Sequence, residues 1–257
     1  MGELETALRA VRHDGGRAFV PYVTGGYPGV DADLLRALAD AGADAIEVGI
    51  PHSDPIMDGP VVQQASSVAL EHGTHPSDVL AMIAEADVGV PVAVMTYANI
   101  VRHPDVETFC KELAEAGVRG AIVPDLPVDE SGELARVSAA HGIDMVLLAA
   151  PGTPSDRYVA IGRAAHGFVY CVATYGVTGA RSELSTTARE VVDAMRPHTD
   201  VPLLVGVGLA TPELAGEACA FADGAIVGTA MMAPLLKGDR DGVVALAAAF
   251  REAVRAP

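Results

Sequence analysis

Residues 45–60, AIEVGIPHSDPIMDGP, place three carboxylates close together in the chain. Glu47 lies inside an apolar run that has the pattern of a buried strand, where an unpaired charge is costly. Asp54 and Asp58 follow in a proline-rich loop. Apolar surroundings would raise the pKa of Glu47 toward neutrality, so that one side chain both donates and accepts a proton. The stretch therefore predicts acid–base chemistry by carboxylates.

Each of these carboxylates also has a structural interpretation. Glu47 would then be a buried group bonded to Ser, Tyr or backbone, and Asp58 would be an exposed turn residue before Gly59. Alternation along the strand puts Glu47 on a face with small side chains and leaves the large aliphatic ones for the face that packs against helices. This alternation favours a Glu47 side chain that points into the fold, with Asp58 folding back over it.

Eight short apolar segments recur along the chain and alternate with amphipathic Ala- and Leu-rich segments. Most are continuously apolar, as parallel strands covered on both faces are. Eight βα units in 257 residues predict a (β/α)₈ TIM barrel, one domain over residues 1–257, with a doubly wound sheet as the alternative. The predicted strands are 18–24, 45–50, 90–97, 120–126, 144–150, 167–174, 201–208 and 224–230.

Two of the predicted units are longer than the others, those that follow strands 2 and 6. Extra residues in such a barrel usually enlarge the loops at the C-terminal face, where active sites lie. We therefore expect extended loops after these two strands. Leu4, Leu8 and Val11 have helical spacing and predict a helix before the first strand.

Glycine-containing segments follow strands 6, 7 and 8: GVTG at 176–179, GVG at 206–208 and GT at 228–229. Glycine lets backbone amides approach phosphate oxygens closely, and Thr229 adds a hydroxyl donor. The alternative is that these glycines only form tight turns. Their clustering on neighbouring strands predicts a phosphate site, with Arg181 as the one nearby cation. Further polar side chains end strands on the same rim: Tyr22, Thr24, Tyr97, Asn99, Asp125, Tyr170 and Thr174.

Composition excludes several classes of function. A net charge of −17 argues against nucleic acid or an anionic membrane as a partner. The only lysines, Lys111 and Lys237, fall in predicted helices, so a Schiff-base aldolase is nearly excluded. Of the histidines only His52 follows a strand end, which disfavours a metal site. The N-terminus has neither a signal peptide nor a membrane span, and Cys110, Cys171 and Cys219 are expected to be free thiols in a reducing cytoplasm.

Several segments together resemble one family, the tryptophan synthase alpha subunit. The resemblance runs in order along nearly the whole chain, and its most specific part is E-x-G-x-P-x-S-D-P-x-x-D-G-P. The segments are PYVTGGYPG (21–29), IEVGIPHSDPIMDGPVVQQA (46–65), PDLPVDES (124–131), GVTGAR (176–181), VGVGLATPE (205–213) and GAIVGTAMM (224–232).

The resemblance implies retro-aldol cleavage of indole-3-glycerol phosphate to indole and glyceraldehyde 3-phosphate. Glu47 corresponds to the family's catalytic glutamate, which protonates indole C3 and takes the proton of the adjacent side-chain hydroxyl. Asp58 corresponds to the aspartate that bonds the indole N–H. The other positions that correspond to substrate-binding residues are Tyr22, Tyr170, Thr178, Gly179, Val207, Gly208, Gly228 and Thr229.

The resemblance also implies a partner, a beta subunit that carries pyridoxal phosphate, forms an α₂β₂ complex and receives the indole; this chain itself would need no cofactor or metal. Asp54, Pro55, Asn99 and Pro127 correspond to the docking side. The chain departs from the family at His52, where Phe is common, at Tyr27, where Asp is common, and in CVATY (171–175). Alternatives are a free-standing lyase that releases indole, a regulatory subunit without activity, and another sugar-phosphate enzyme on the same barrel.

Overall fold

Eight parallel strands close into one barrel in the computed structural model of the protein, which describes residues 1–173 and 186–255. Each strand pairs with the next along the chain, and the last pairs with the first. The predicted TIM barrel is thereby confirmed, and the doubly wound alternative is wrong. The strands are β1 (Ala18–Thr24), β2 (Ile46–Gly49), β3 (Val92–Met95), β4 (Val118–Ile122), β5 (Asp144–Ala149), β6 (Val169–Val172), β7 (Leu203–Gly206) and β8 (Gly224–Val227).

Helices surround the barrel and connect successive strands. None of those in the described ranges combines the length and apolar character that crossing a membrane requires. The helices are α1 (Glu3–His13), α2 (Ala32–Asp40), α3 (Pro60–Glu71), α4 (Pro76–Ala86), α5 (Ala98–Val101), α6 (Val106–Glu115), α7 (Gly132–Ala140), α8 (Ser155–Ala164), α9 (Thr186–Met195), α10 (Pro212–Cys219), α11 (Thr229–Leu235) and α12 (Arg240–Arg255).

Local sequence signals set many helix ends. Side-chain oxygens of Asp31, Asp105 and Thr211 accept backbone N–H groups at the starts of α2, α6 and α10, as N-cap residues do. Glycines with positive φ follow the ends of α2, α6 and α7, namely Gly42, Gly117 and Gly142, where L side chains would be strained. The predicted strands are generally longer than the observed ones, because turn residues such as Pro124 cannot continue the ladder.

The predicted N-terminal helix is present, and it closes the lower end of the barrel. Leu4 and Leu8 of α1 pack into the inner apolar cluster, together with strand residues such as Val20 and Ala93. Asp144, at the start of β5, fixes this helix because its carboxylate accepts the N–H groups of Gly2 and Glu5, each at 2.9 Å. With that end sealed, the opposite end, at the carboxyl ends of the strands, is open for a site.

The added length after β2 divides into the loop 50–59 and the additional helix α3, so much of it is helical. The predicted long loop after β6 is YGVTGARSELSTT (175–187). Its residues 175–185 lie outside the described residues, and its last two, Thr186 and Thr187, begin α9. That residues 1–257 form one domain stays a prediction. Lys111 lies in α6 as predicted, whereas the prediction of a helix at Lys237 is wrong, since this residue lies in the turn that follows α11.

Candidate active site

A cleft lies at the carboxyl ends of the strands, and Glu47 forms part of its wall. The strand register explains this position, because Glu47 lies level with Tyr22 of β1 and Ala93 of β3, and Ala93 belongs to the inner cluster. The predicted inward direction of Glu47 is therefore confirmed. The described lining comprises Tyr22, Glu47, Asp58, Val62, Met95, Tyr170, Val207, Gly208, Leu209, Ala210, Ile226, Gly228 and Thr229.

Glu47 is a buried carboxyl group that is only partly satisfied by the protein. The residue is 1% exposed, and its Oε2 has no hydrogen-bond partner among the described residues. Burial, with a smaller contribution from the negative charge of Asp58, raises the pKa of Glu47 to about 8. A carboxylate held only for structure would have its oxygens bonded. Glu47 is thus mainly protonated at neutral pH, and Oε2 has no described partner that would compete with a substrate.

Asp58 reaches the same cleft from the loop after β2 and is 8% exposed. The Tyr97 hydroxyl donates to its Oδ2 at 3.2 Å and accepts the N–H of Met57 at 3.2 Å. Burial raises the pKa of Asp58 to about 6, although the Tyr97 hydrogen bond acts to lower it, as a positive charge on His52 would. Asp58 is therefore mainly ionised at neutral pH, and its interpretation as an exposed turn residue is wrong.

Two tyrosines form an aromatic wall beside Glu47. The hydroxyl of Tyr22 occupies the space that a side chain at Gly49 would fill, and Tyr170 likewise depends on Gly206. Burial, with the nearby carboxylates, raises the pKa of both tyrosines well above the usual value. Both rings are therefore neutral, and they offer a flat apolar surface next to the carboxyl pair.

The turns after β7 and β8 line the cleft without charged side chains. Val207 has φ 72° and Gly208 has φ 87°, so the chain turns sharply after β7. Positive φ is rare for a β-branched residue and is typical of functional sites. Gly228 and Thr229, after β8, line the same cleft. No Lys or Arg occurs in the described lining, which agrees with an anion held by amides and a hydroxyl.

Comparison with known proteins gives the chain its family. The sequence model of the family described as tryptophan synthase alpha chain matches residues 8–254. The chain belongs to this family. It is 40% identical to the tryptophan synthase alpha chain of Synechocystis sp. over 258 aligned residues, which cover 98% of each chain. It is 41% identical to that of Streptomyces avermitilis, over 98% of this chain and 91% of the relative.

Solved structures agree with this result. The barrel superimposes on a chain of tryptophan synthase from Mycobacterium tuberculosis with a TM-score of 0.93 and 35% identity, covering 100% of this chain and 99% of that chain. A tryptophan synthase alpha subunit from Legionella pneumophila gives a TM-score of 0.88 at 31% identity, covering 99% and 98%. The resemblance inferred from the sequence motifs is therefore confirmed.

Most substrate-binding positions predicted from the alpha-chain resemblance converge on the cleft. Eight of them line it: Glu47, Asp58, Tyr22, Tyr170, Val207, Gly208, Gly228 and Thr229. The remaining two, Thr178 and Gly179, lie outside the described residues, as do Thr174 and Arg181.

The predicted docking residues of the alpha chain lie on one side of the rim, on the loops after β2, β3 and β4. Asp54, Asn99 and Pro127 are exposed, and Pro55 is half-buried. Two neighbours were missed by the sequence reasoning, Ile56 at 71% and Met57 at 46% exposure. The sequence does carry a signal for them, because two consecutive apolar residues between two aspartates are not expected in a turn that contacts only solvent.

Tyr97 is the main residue that the sequence analysis undervalued. It was noted only as one of several polar groups on the rim, yet its hydroxyl holds Asp58. A tyrosine after a strand is common core filling, so the sequence carried no specific signal for this bond. The apolar lining from Val62, Met95, Leu209 and Ile226 was also missed, because apolar residues at strand ends and helix starts look like ordinary core.

One group among the described residues has the arrangement of metal ligands, and it lies at the opposite end of the barrel from the cleft. It consists of Glu5, Asp144 and His166. Asp144 already accepts two backbone N–H groups, and Glu5 accepts from Arg9 at 2.7 Å and from the N–H of Gly167 at 3.2 Å. These acids therefore serve to fix α1, and the absence of a metal at the cleft stays a prediction.

Proposed function

We propose that the chain cleaves indole-3-glycerol phosphate to indole and glyceraldehyde 3-phosphate with Glu47 and Asp58 as the groups that act on the substrate. This lyase reaction is that of the alpha chain of tryptophan synthase. One observation carries the residue assignment: two buried carboxyl groups line one cleft with pKa values of about 8 and about 6. Two carboxyl groups whose pKa values differ in this way are suited to different roles at one pH.

In the proposed mechanism Glu47 begins as the proton donor. Its proton goes to C3 of the indole ring, which becomes an indolenine cation, and the ring N–H donates to the Asp58 carboxylate. Glu47, now ionised, takes the proton of the hydroxyl on the adjacent side-chain carbon. That carbon becomes the aldehyde of glyceraldehyde 3-phosphate, and the electrons of the broken C–C bond return to the ring. One proton is given and one taken, so Glu47 ends in its starting form.

The phosphate is placed at the end of the cleft formed by the loops after β7 and β8. Val207, Gly208, Gly228 and Thr229 supply backbone amides and one hydroxyl there. The indole ring then lies toward Asp58, between the tyrosine wall and apolar side chains such as Met95 and Val62. Binding both ends of the substrate holds the scissile bond beside Glu47 and reduces the entropic part of the barrier.

The partner of this chain is the beta subunit of tryptophan synthase, and pyridoxal phosphate belongs to that subunit rather than to the alpha chain. We assign the docking surface to Asp54, Pro55, Asn99 and Pro127, with Ile56 as an exposed apolar contact. A cytoplasmic location is also part of the proposal. The three cysteines are free and buried, which suits a reducing compartment.

Indole release from indole-3-glycerol phosphate tests this function, measured with the full chain alone and with a matched beta subunit. Slow release alone and faster release in the complex are expected. High release that no beta subunit changes would favour the free-standing lyase. No release in either case, from a chain that binds the substrate, would favour the regulatory subunit. The variants Asp58→Asn and Glu47→Gln in the same assay test the residue assignment separately.

A further inference from the structure

His52 joins two neighbouring loops on the rim above the cleft. Its Nδ1 accepts the backbone N–H of Asp54 at 3.0 Å, and its Nε2 lies 3.0 Å from Oδ1 of Asn99. These bonds connect the loop after β2 with the start of α5, which follows β3. The Glu47–Asp58 mechanism does not use His52, and the substrate does not need to touch it.

The two hydrogen bonds define the tautomer of His52. A backbone N–H can only donate, so Nδ1 must have a free lone pair. The ring proton is therefore on Nε2, which donates to the amide oxygen of Asn99. A neutral imidazole with this tautomer satisfies both partners, whereas a phenyl ring would satisfy neither.

The same imidazole packs on the ring of Tyr97. The two ring centroids are 4.5 Å apart, and the ring planes differ by 28°. The hydroxyl of Tyr97 is in turn fixed by the loop after β2, since it accepts the N–H of Met57 and donates to Asp58. Residues 52–58 thus hold Tyr97 at both ends, by a ring stack at one and by two hydrogen bonds at the other.

We infer that His52 is a positioning residue for Asp58, which it holds in place through the ring of Tyr97. This inference rests on the proposed role of Asp58. His52 fixes the plane of the tyrosine, and the tyrosine hydroxyl fixes Oδ2 of Asp58 toward the cleft. Loss of the imidazole lets Tyr97 and the loop rearrange, so that Asp58 meets the indole N–H less often in the reacting geometry.

Steady-state indole release by full-length variants tests the inference. His52→Ala is expected to lower kcat by about tenfold and to change KM by less than about twofold, since the phosphate end is intact. His52→Phe keeps a ring against Tyr97 and should lower kcat by less than His52→Ala does. In a Tyr97→Phe background, His52→Ala should lower kcat further by less than about twofold, because both changes act through one contact. His13→Ala is the matched control, since this side chain is 90% exposed at the other end of the barrel.

Three results would overturn the inference. They are a His52→Ala kcat equal to that of His13→Ala, a His52→Ala effect that is undiminished in the Tyr97→Phe background, and ¹⁵N NMR of the unaltered protein with the proton on Nδ1 of His52. The NMR measurement does not depend on any variant folding. Asp58→Asn separates the role of Asp58 from that of His52. If Asp58→Asn is inactive while His52→Ala has normal activity, only the role of His52 is wrong. If Asp58→Asn is fully active, the proposed role of Asp58 is wrong and the inference about His52 falls with it, whereas cleavage of the substrate stands.

Discussion

Glu47 and Asp58 have the same functional group, and their surroundings give them different protonation states. Glu47 is enclosed by the barrel and has no partner for Oε2 among the described residues, so its neutral form is favoured. Asp58 is also buried, but a hydroxyl donor stabilises its ionised form. The difference depends on a single bond from Tyr97 and on the depth of each side chain. It allows a proton donor and an N–H acceptor to lie in one small cleft.

The rate should follow a bell-shaped dependence on pH. Below about pH 6 Asp58 becomes protonated and can no longer accept the indole N–H as an anion. Above about pH 8 Glu47 loses the proton that it must give to C3. A plot of log kcat/KM against pH should therefore fall on both sides, with limits that belong to the coupled pair. The pH profile of the residual activity of Glu47→Gln should lack the fall at alkaline pH. A wild-type kcat/KM that is flat from pH 5 to 9 would contradict this assignment.

Burial of Glu47 should also lower the stability of the folded protein. Its folded pKa of about 8 lies above the ordinary value of 4.5, so between these values the folded state binds more protons than the unfolded state. The free energy of unfolding therefore falls as pH rises through this window. Glu47→Gln removes the titration and should be more stable than wild type by roughly 2–3 kcal/mol at pH 7, and by less at pH 5. Urea unfolding at both pH values measures this difference, and a gap that does not grow with pH would count against it.

At the scale of elements, the site is an assembly of strand ends. Glu47 lies in β2, Tyr97 follows β3, and the turns after β7 and β8 supply further backbone of the cleft. The barrel brings these ends together, although they are far apart in the chain. Each connection can therefore vary its loop while the strands keep the geometry.

Gly228→Ala tests the phosphate end with little disturbance of the fold. Gly228 has an ordinary negative φ, and a Cβ there would meet its nearest atom, in Tyr22, at 3.6 Å. The added methyl group occupies the cleft, so KM for indole-3-glycerol phosphate should rise by about tenfold or more, while thermal stability stays near wild type.

Gly208→Val makes a less selective comparison, since φ at this position is 87° and the branched side chain adds backbone strain. It should lower substrate affinity and stability together. Gly238→Ala is a control for strain alone, because this glycine also has positive φ and open space around it. An unchanged KM in Gly228→Ala would remove the turn after β8 from the phosphate site.

How far the sequence predicts these elements depends on how local their signals are. Alternation in residues 45–50 places Glu47 correctly, because each strand residue faces in or out by its position alone. The bond from Tyr97 to Asp58 joins residues 39 positions apart, so it depends on how two loops fold over the rim. The length of the unit after strand 2 predicts an extended loop, but residues 60–71 form helix α3. Pro60 after Gly59 is a helix start signal that marks this helix in the sequence.

At the scale of the whole molecule, the barrel has one closed end and one functional end. Helix α1 fills the lower end, so the proposed substrate cleft and the proposed docking surface both lie at the upper one. The exposed rim residues Asp54, Ile56 and Asn99 lie beside Asp58 rather than across the molecule. Docking of a beta subunit there would act directly on the loop that carries an active-site carboxylate. This adjacency gives the complex a physical means to regulate cleavage.

A matched beta subunit should raise the turnover of indole-3-glycerol phosphate by ~10-fold or more, equivalent to about 1.4 kcal/mol of coupling. A partner can do this only if it binds the active arrangement of the loop better than the inactive one. Asp54→Ala, on the docking side, should reduce this activation more than it reduces turnover of the chain alone. Asp14→Ala, at an exposed position on the closed end, is the matched control. Equal activation of both variants would remove Asp54 from the docking surface.

Single-turnover cleavage by Glu47→Gln tests whether Glu47 transfers the proton to and from the substrate. Gln keeps the size and polarity of the side chain but cannot give up and take back a proton. With substrate saturating, the rate of indole formation should fall by at least ~10²-fold, the lower end of general acid–base contributions. The dissociation constant of indole-3-glycerol phosphate should change little. A variant that binds substrate normally and keeps more than half of the wild-type rate would show that Glu47 does not transfer the proton.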